Sequence, residues 1–225
     1  VPAYHRALAF DADLGLPAMI VNIGGVANVT WIGTDGELLA FDTGPGNALM
    51  DDWMRLTTGE THDEGGALAA RGQADSGRLE TLLRDPYFLR RPPKSLDRNA
   101  FSLRAVEGLS PQDGAATLCG FTAAAIVCAL AHFPAPPVSF VVVGGGAHNR
   151  TLMAALERLL PGRLMRADDL GWQADSIEAQ AFAFLAVRSL VGLPLSFPGT
   201  TGVPMPMTGG VVAEPANPPD LGMAG

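Results

Sequence analysis

The residue best placed to do chemistry is Asp42, which closes the apolar run Leu-Leu-Ala-Phe and opens Asp-Thr-Gly-Pro-Gly-Asn at positions 42–47. A carboxylate at a strand end, at the mouth of a sheet, can take a proton from an attacking water or hydroxyl, or hold Mg²⁺ through water. The competing reading has Asp42 merely closing a turn over Thr43 and Gly44. Asn47 is the better-placed helix cap, which favours chemistry for Asp42. Three glycine-rich turns stand at strand ends: Gly24-Gly25, Gly44 with Gly46, and Gly144-Gly145-Gly146. Without a Cβ, such turns let backbone N–H groups approach a phosphate, and a helix N-terminus behind them favours negative charge. Asn47 and Asn149 follow two of the turns and join this nucleotide-binding set. Asn28, behind the first turn, is grouped with Glu178 as a substrate contact. No turn fits GxxxxGK[ST] or GxGxxG, so neither the P-loop nor the dinucleotide fingerprint is supported. Glu178 is the third residue after Asp175 in a capping-box pattern, and capping alone is the competing reading for it. No metal site is expected: His62 and His148 lack partners at ligand spacing. Cys119 and Cys128, in one apolar pattern, read as buried thiols.

The elements that must position these residues follow from periodicity and turn residues. After a short leader, 17–25, 26–33 and 37–44 read as strands, each an apolar or β-branched run closed by glycine. Asp35-Gly36 predicts a hairpin between the second and third, and Gly24-Gly25 predicts one between the first and second. A helix follows from Asn47, with Leu49, Met50, Trp53, Met54 and Leu56 on its buried side. Residues 76–85 form a short amphipathic helix stopped before Pro86, and the paired prolines make 86–104 a long ordered loop beside a site. Ser110-Pro111-Gln112-Asp113 starts a helix running to about residue 131. A fully buried strand ends at the triple glycine, a helix capped by Asn149 follows, then a short strand near 164 and a last helix from Asp175. Three antiparallel strands followed by two crossover units make an α/β fold: a mixed sheet with a three-strand meander and flanking helices, the ribonuclease-H-like lobe of actin-like ATPases. The segment 1–212 is expected to be a single such domain, and the Pro/Gly-rich 213–225 a tail.

Composition narrows the classes. The 225 residues include 27 Gly and 18 Pro, one residue in five, which is incompatible with a coiled coil or a simple helical bundle. A net charge of −8 argues against nucleic acid and anionic membrane as partners, since both select clustered positive charge. The longest nearly apolar stretch, 121–133, falls short of the ~20 residues that cross a bilayer. The N-terminus lacks the order of a signal peptide, so the expected location is cytoplasmic. Among 15 basic residues Lys94 is the sole lysine, and a compact ammonium is not interchangeable with a guanidinium.

The segments NIGGVANVTW, FDTGPGNALMD, RPPKS, LSPQDGAATLCGFTA, VVVGGGAHN and DSIEAQAFAFLA, in that order, resemble the C-terminal part of anhydro-N-acetylmuramic acid kinases. The resemblance runs over about 1–212, and the family's N-terminal lobe has no counterpart in this chain. It implies ATP and Mg²⁺ as cofactors and an anhydro amino sugar as substrate. Water opens the 1,6-anhydro bond and O6 is phosphorylated, giving N-acetylmuramic acid 6-phosphate for cell-wall recycling. It further implies that Asp42 is the catalytic base, that Glu178 touches the sugar as well as capping, and that Gly24-Gly25 and Gly144-Gly145-Gly146 line the nucleotide cleft. On this reading the chain alone is inactive. The alternatives are a nucleotide- or sugar-binding half without turnover, or another actin-like amino-sugar kinase; a homodimer is left open.

Overall fold

In a computed structural model, residues 1–213 are described. Five strands build one sheet: β1 Ala18–Ile23, β2 Val26–Ile32, β3 Leu38–Pro45, β4 Ser139–Val143 and β5 Leu164–Arg166. Their order is β3-β2-β1-β4-β5, with β1–β2 and β2–β3 antiparallel and β1–β4 and β4–β5 parallel. Both predicted hairpins form; β4 reaches β5 by a crossover through a helix, and β4 comes to lie beside β1 after the chain has passed through β2, β3 and the helices that follow. The α/β class and the meander therefore stand as expected.

The sheet is covered on both faces. On one lie α2 Asn47–Thr57, α4 Pro111–Cys128 and α5 Arg150–Leu159, which close a core around Ile23, Phe140, Leu118, Ile126 and Leu152, each at most 1% exposed. Burying side chains of this size stabilises by roughly 1.5–3 kcal/mol each. Gly114 of α4 lies flat on Trp53 of α2, where a Cβ would overlap the indole, and Trp53 Nε1 donates to the Pro111 carbonyl at 2.9 Å. On the other face α1 Pro2–Asp11 and α6 Ile177–Leu190 cover Ile20, Ile32, Val141 and Val143. A third cluster, Tyr87, Phe88, Phe121 and Ala125, lies beneath the segment 86–104, next to α3 Ser76–Leu83.

Several local expectations change. The leader is the helix α1, started by a proline at its first turn and burying Ala3, His5 and Ala9; its apolar spacing is too sparse to announce a helix alone. Leu56 points outward at 68% exposure, since Met50, Trp53 and Met54 already fill the space under α2. The N-cap of α2 is Gly46 rather than Asn47. The helix from 111 continues as a 3₁₀ turn to His132, and this 22-residue span has the length and mean hydropathy (1.9) of a membrane-crossing helix, longer than the stretch 121–133 suggested. In the fold it is a core helix, with 61% of its most apolar window buried. The last helix starts after a 3₁₀ turn at Ala174–Ser176, with Ser176 as N-cap; the Asp175 side chain, on which the expected capping box rests, lies outside what the structure describes. A short helix, α7 Pro198–Thr201, occupies what reads as loop. The expected tail lies, from 214 onward, outside the described residues.

Candidate functional site

The parallel strands β1 and β4 end side by side, at Asn22-Ile23 and Val143-Gly144, and the crevice outside the carboxyl ends of such strands is where α/β sheets bind ligands. Gly144 takes φ +80°, and a Cβ there would overlap Asn22 Oδ1, so glycine is required on both counts. The chain then opens at Gly145, where an added Cβ would meet only the Asn47 amide at 3.8 Å, before Gly146 turns back onto Ile23. A cleft of about 430 Å³ results, lined by Asn22, Gly24, Asn28, Gly144, Gly145 and Glu178, with His5 at its base. Glu178 is exposed at the head of α6 and faces this cleft.

On the other side of Gly145 lies a second cavity of about 450 Å³, lined by Asn47, Met50, Asp51, His148 and Asn149 and by the acidic loop around Asp63 and Glu64. Gly145 is common to both, so the two cavities adjoin at that residue. Asn47 donates from Nδ2 to the Ile23 carbonyl at 3.2 Å. Asn149 caps α5, accepting from Leu152 N at 3.0 Å. Burial raises the Asp51 carboxyl, with Arg55 and His62 opposing the shift.

Asp42 sits in a third, smaller cavity of about 230 Å³ with Asn28, Lys94 and Ser95. A β-bulge brings it there. The β2–β3 register runs Ala27 opposite Gly44 and then Asn28 opposite Asp42, which leaves Thr43 as the extra residue, its hydroxyl turned to the Ala27 carbonyl at 3.1 Å. Bulges re-aim side chains in this way. Asp42 is half-buried: burial raises its carboxyl above the ordinary range, and the Leu96 amide, donating to Oδ2 at 2.8 Å, pulls it back down. Asn28 lines this cavity and the cleft of Gly24 and Glu178 alike.

Of the residues singled out in the sequence, Gly24, Asn28, Gly144, Gly145 and Glu178 share the first cleft, Asn47 and Asn149 line the second, and Asp42 adjoins through Asn28. Gly25 is exposed beside the cleft, and Gly44, Gly46 and Gly146 are packed inside. The start of α2 is not a free anion site: the amides of Gly46, Asn47 and Ala48 donate to the Gly24 and Gly25 carbonyls at 3.0, 2.7 and 3.2 Å. Gly46 is glycine because a Cβ would overlap the Gly24 carbonyl oxygen, and Gly44 because one would press on Ala125 Cβ at 2.7 Å. Two residues at the site escape sequence reasoning. His5 pairs through Nδ1 with Thr30 Oγ1 at 2.9 Å, leaves Nε2 without a partner among the described residues, and is driven by burial down to about 3, hence neutral. Tyr87 donates its hydroxyl to the Asp42 carbonyl at 2.6 Å. Neither has a motif around it: His5 stands between Tyr4 and Arg6, and the one signal at Tyr87 is its place in the loop 86–104. Among the described residues no three or more His, Cys, Asp or Glu side chains are grouped so as to hold a metal ion.

The family profile described as anhydro-N-acetylmuramic acid kinase matches residues 1–215. Anhydro-N-acetylmuramic acid kinase of a Methylorubrum extorquens strain is 56% identical over 96% of this chain and 57% of its own length. The protein of the same name from a Rhodopseudomonas palustris strain is 55% identical over 96% of this chain and 59% of its length. The chain thus spans a little under three-fifths of the curated relatives it matches. Among solved structures, the activator of the 2-hydroxyisocaproyl-CoA dehydratase from Clostridium difficile with bound ADPNP aligns over 80% of this chain and 66% of its own at TM-score 0.47 and 16% identity.

Proposed function

The chain belongs to the anhydro-N-acetylmuramic acid kinase family, and on that premise we propose that it forms the catalytic-base lobe of an ATP-dependent kinase acting on 1,6-anhydro-N-acetylmuramic acid. In the proposed reaction Asp42 takes a proton from a water attacking C1. The C1–O6 bond breaks, O6 attacks the γ-phosphate, and the products are N-acetylmuramic acid 6-phosphate and ADP, with the proton passing from Asp42 to solvent. The observation that carries this reading is Asn28, which lies against Asp42 across the bulge and also lines the cleft of Gly24, Gly144 and Glu178. A base and a glycine-walled groove meeting at one residue fit a water-activating step coupled to phosphoryl transfer.

Within that reading the phosphates run along Gly24, Gly144 and Gly145, and the nucleoside lies in the cavity of Asn47 and Asn149. Glu178 faces the sugar from the head of α6. Mg²⁺ is compatible with the residues present. An octahedral ion that keeps its waters and binds through substrate phosphates needs few protein ligands, and Asp42, which adjoins the cleft through Asn28, would hold it through water. When bound, it neutralises charge on the transferring group. In cells the product enters amino-sugar metabolism through recycling of cell-wall peptidoglycan.

The test is Asp42→Asn in the full-length protein that carries this chain. ADP release coupled to the anhydro sugar should fall by about 10²–10⁴-fold, the range of a lost general base, while nucleotide binding measured by calorimetry persists. Turnover at the wild-type rate would sink the assignment.

A further inference from the structure

The segment 86–96 is tied to Asp42 at three atoms. Tyr87 donates its hydroxyl to the Asp42 carbonyl at 2.6 Å, Asp42 N donates to the Lys94 carbonyl at 3.1 Å, and Leu96 N donates to Asp42 Oδ2 at 2.8 Å. That leaves Oδ1 without a hydrogen bond among the described residues. The sole lysine of the chain is folded into this segment, beside an Asp85 carboxylate that caps the turn through Tyr87 N at 2.8 Å and a His132 Nε2 2.9 Å from the Phe88 carbonyl. Lys94 is 7% exposed, and its ammonium points inward, donating to the Tyr87 carbonyl at 2.9 Å with the Phe88 carbonyl at 3.4 Å. It stands 4.5 Å over the Tyr87 ring and 5.5 Å from the Phe41 ring.

A buried ammonium with no ion pair among the described residues is costly to keep. Burial lowers its pKa, the largest influence, with Arg90 adding to the effect and Cys128 opposing it. Two carbonyls and an aromatic face offset that cost only in this arrangement, so the charge and the conformation of the 3₁₀ turn Pro86–Leu89 depend on each other. The carbonyls it gathers belong to the turn that carries the Tyr87 hydroxyl, and its own backbone carbonyl receives the Asp42 amide.

We propose that Lys94 is the positioning residue for Asp42: by clamping the turn Pro86–Leu89 it holds Tyr87 and Leu96 on the aspartate, which fixes Oδ2 and turns Oδ1 toward the reacting water. This rests on Asp42 being the base. The groups facing the clamp are Tyr87 and Arg90 from the segment itself, Cys128 from α4 and His132 from the 3₁₀ turn after it, the last with Nε2 at 3.4 Å from the ammonium. Asp42 in turn faces the Tyr87 hydroxyl, whose ionisation burial pushes upward, with Asp42 adding to the shift and Arg90 opposing it.

The experiment compares Lys94→Met, Tyr87→Phe and Asp42→Asn in the full-length protein, by kcat, by KM for sugar and ATP, and by the acid limb of kcat/KM, which reports the free enzyme's base. Lys94→Met should lower kcat about 10–100-fold, as a misplaced catalytic group does, with KM for ATP unchanged. Its acid limb should move to higher pH, because the Leu96 amide no longer holds the Asp42 carboxylate down. Tyr87→Phe should move the limb in the same direction by less, and it decides the matter if Lys94→Met does not fold. An unmoved limb in folded variants, with or without a loss of kcat, overturns the positioning role while Asp42→Asn remains inactive. Turnover surviving in Asp42→Asn overturns the base assignment and this inference together.

Discussion

Asn28 of β2 and Asp42 of β3 face one another because the bulge leaves Thr43 unpaired between them and Gly44. In regular pairing Thr43 would stand opposite Asn28. Side chains alternate faces along a strand, so a slip of one residue would turn the carboxylate to the other side of the sheet. The bulge keeps the neighbours of Asp42 on β3 buried while its own side chain reaches the cavity it shares with Asn28.

With Asp42 in its proposed role as base, the rate of the full-length protein should rise with pH through a midpoint above that of an ordinary carboxylate, since burial raises the Asp42 pKa and a base acts in its deprotonated form. The sign for stability is opposite. A carboxyl whose folded pKa lies above its unfolded value takes up protons on folding, so its charge costs stability above the folded pKa, and that cost is relieved as pH falls through it. Asp42→Asn should therefore melt higher than wild type at neutral pH, with the gain shrinking on acidification. Thermal melts across pH check this, and a constant difference would contradict it.

Glu178→Gln should raise KM for the sugar about 10-fold or more, the effect of losing a charge-assisted hydrogen bond, and leave KM for ATP near wild type. Steady-state kinetics with each substrate varied in turn measure this. An equal rise in both would place Glu178 away from the sugar.

Two glycines in neighbouring turns should behave differently. Gly46→Ala puts a Cβ onto the Gly24 carbonyl oxygen and within 3.1 Å of Ala27 N, and should destabilise by about 1–3 kcal/mol, as overpacking does. Gly25→Ala meets only Ala48 Cβ at 3.5 Å and should stay within about 0.5 kcal/mol of wild type. Denaturant unfolding of the two variants separates them.

The two thiols should differ in reactivity. Cys119 is buried and its pKa is pushed up to about 12, whereas Cys128 is half-buried, with the burial shift opposed by Lys94. Since the thiolate is the nucleophile, intact-mass analysis under mild alkylation should show Cys128 modified before Cys119.

Much of the frame was legible before folding because its signals are local. Asp35-Gly36 needs only its own backbone preference to make a hairpin. Ser110 with Asp113 and Asn149 with Leu152 need only a short stretch of chain to cap a helix, and both bonds form. The helix α1 was not legible, because its buried face is Ala3, His5 and Ala9, residues without a strong apolar period. Asn47 is not the cap its position suggests, because the Gly24 and Gly25 carbonyls take the amides at the start of α2, and the turn Ala174–Ser176 puts the N-cap of α6 at Ser176.

By itself, then, the sequence determined the strands and their order, the helices with strong periods, the ordered motifs that tie the chain to its family, and Asp42 and the glycine turns as places to look. Only the tertiary structure decided that the amides at the start of α2 are consumed, that Thr43 bulges, that His5 turns inward, and that Lys94 and Leu96 close over an aspartate far earlier in the chain. The physical reason is the range of the forces involved. Periodicity and capping act within a few residues, whereas a buried hydrogen bond between distant segments exists only once packing has brought both partners out of water.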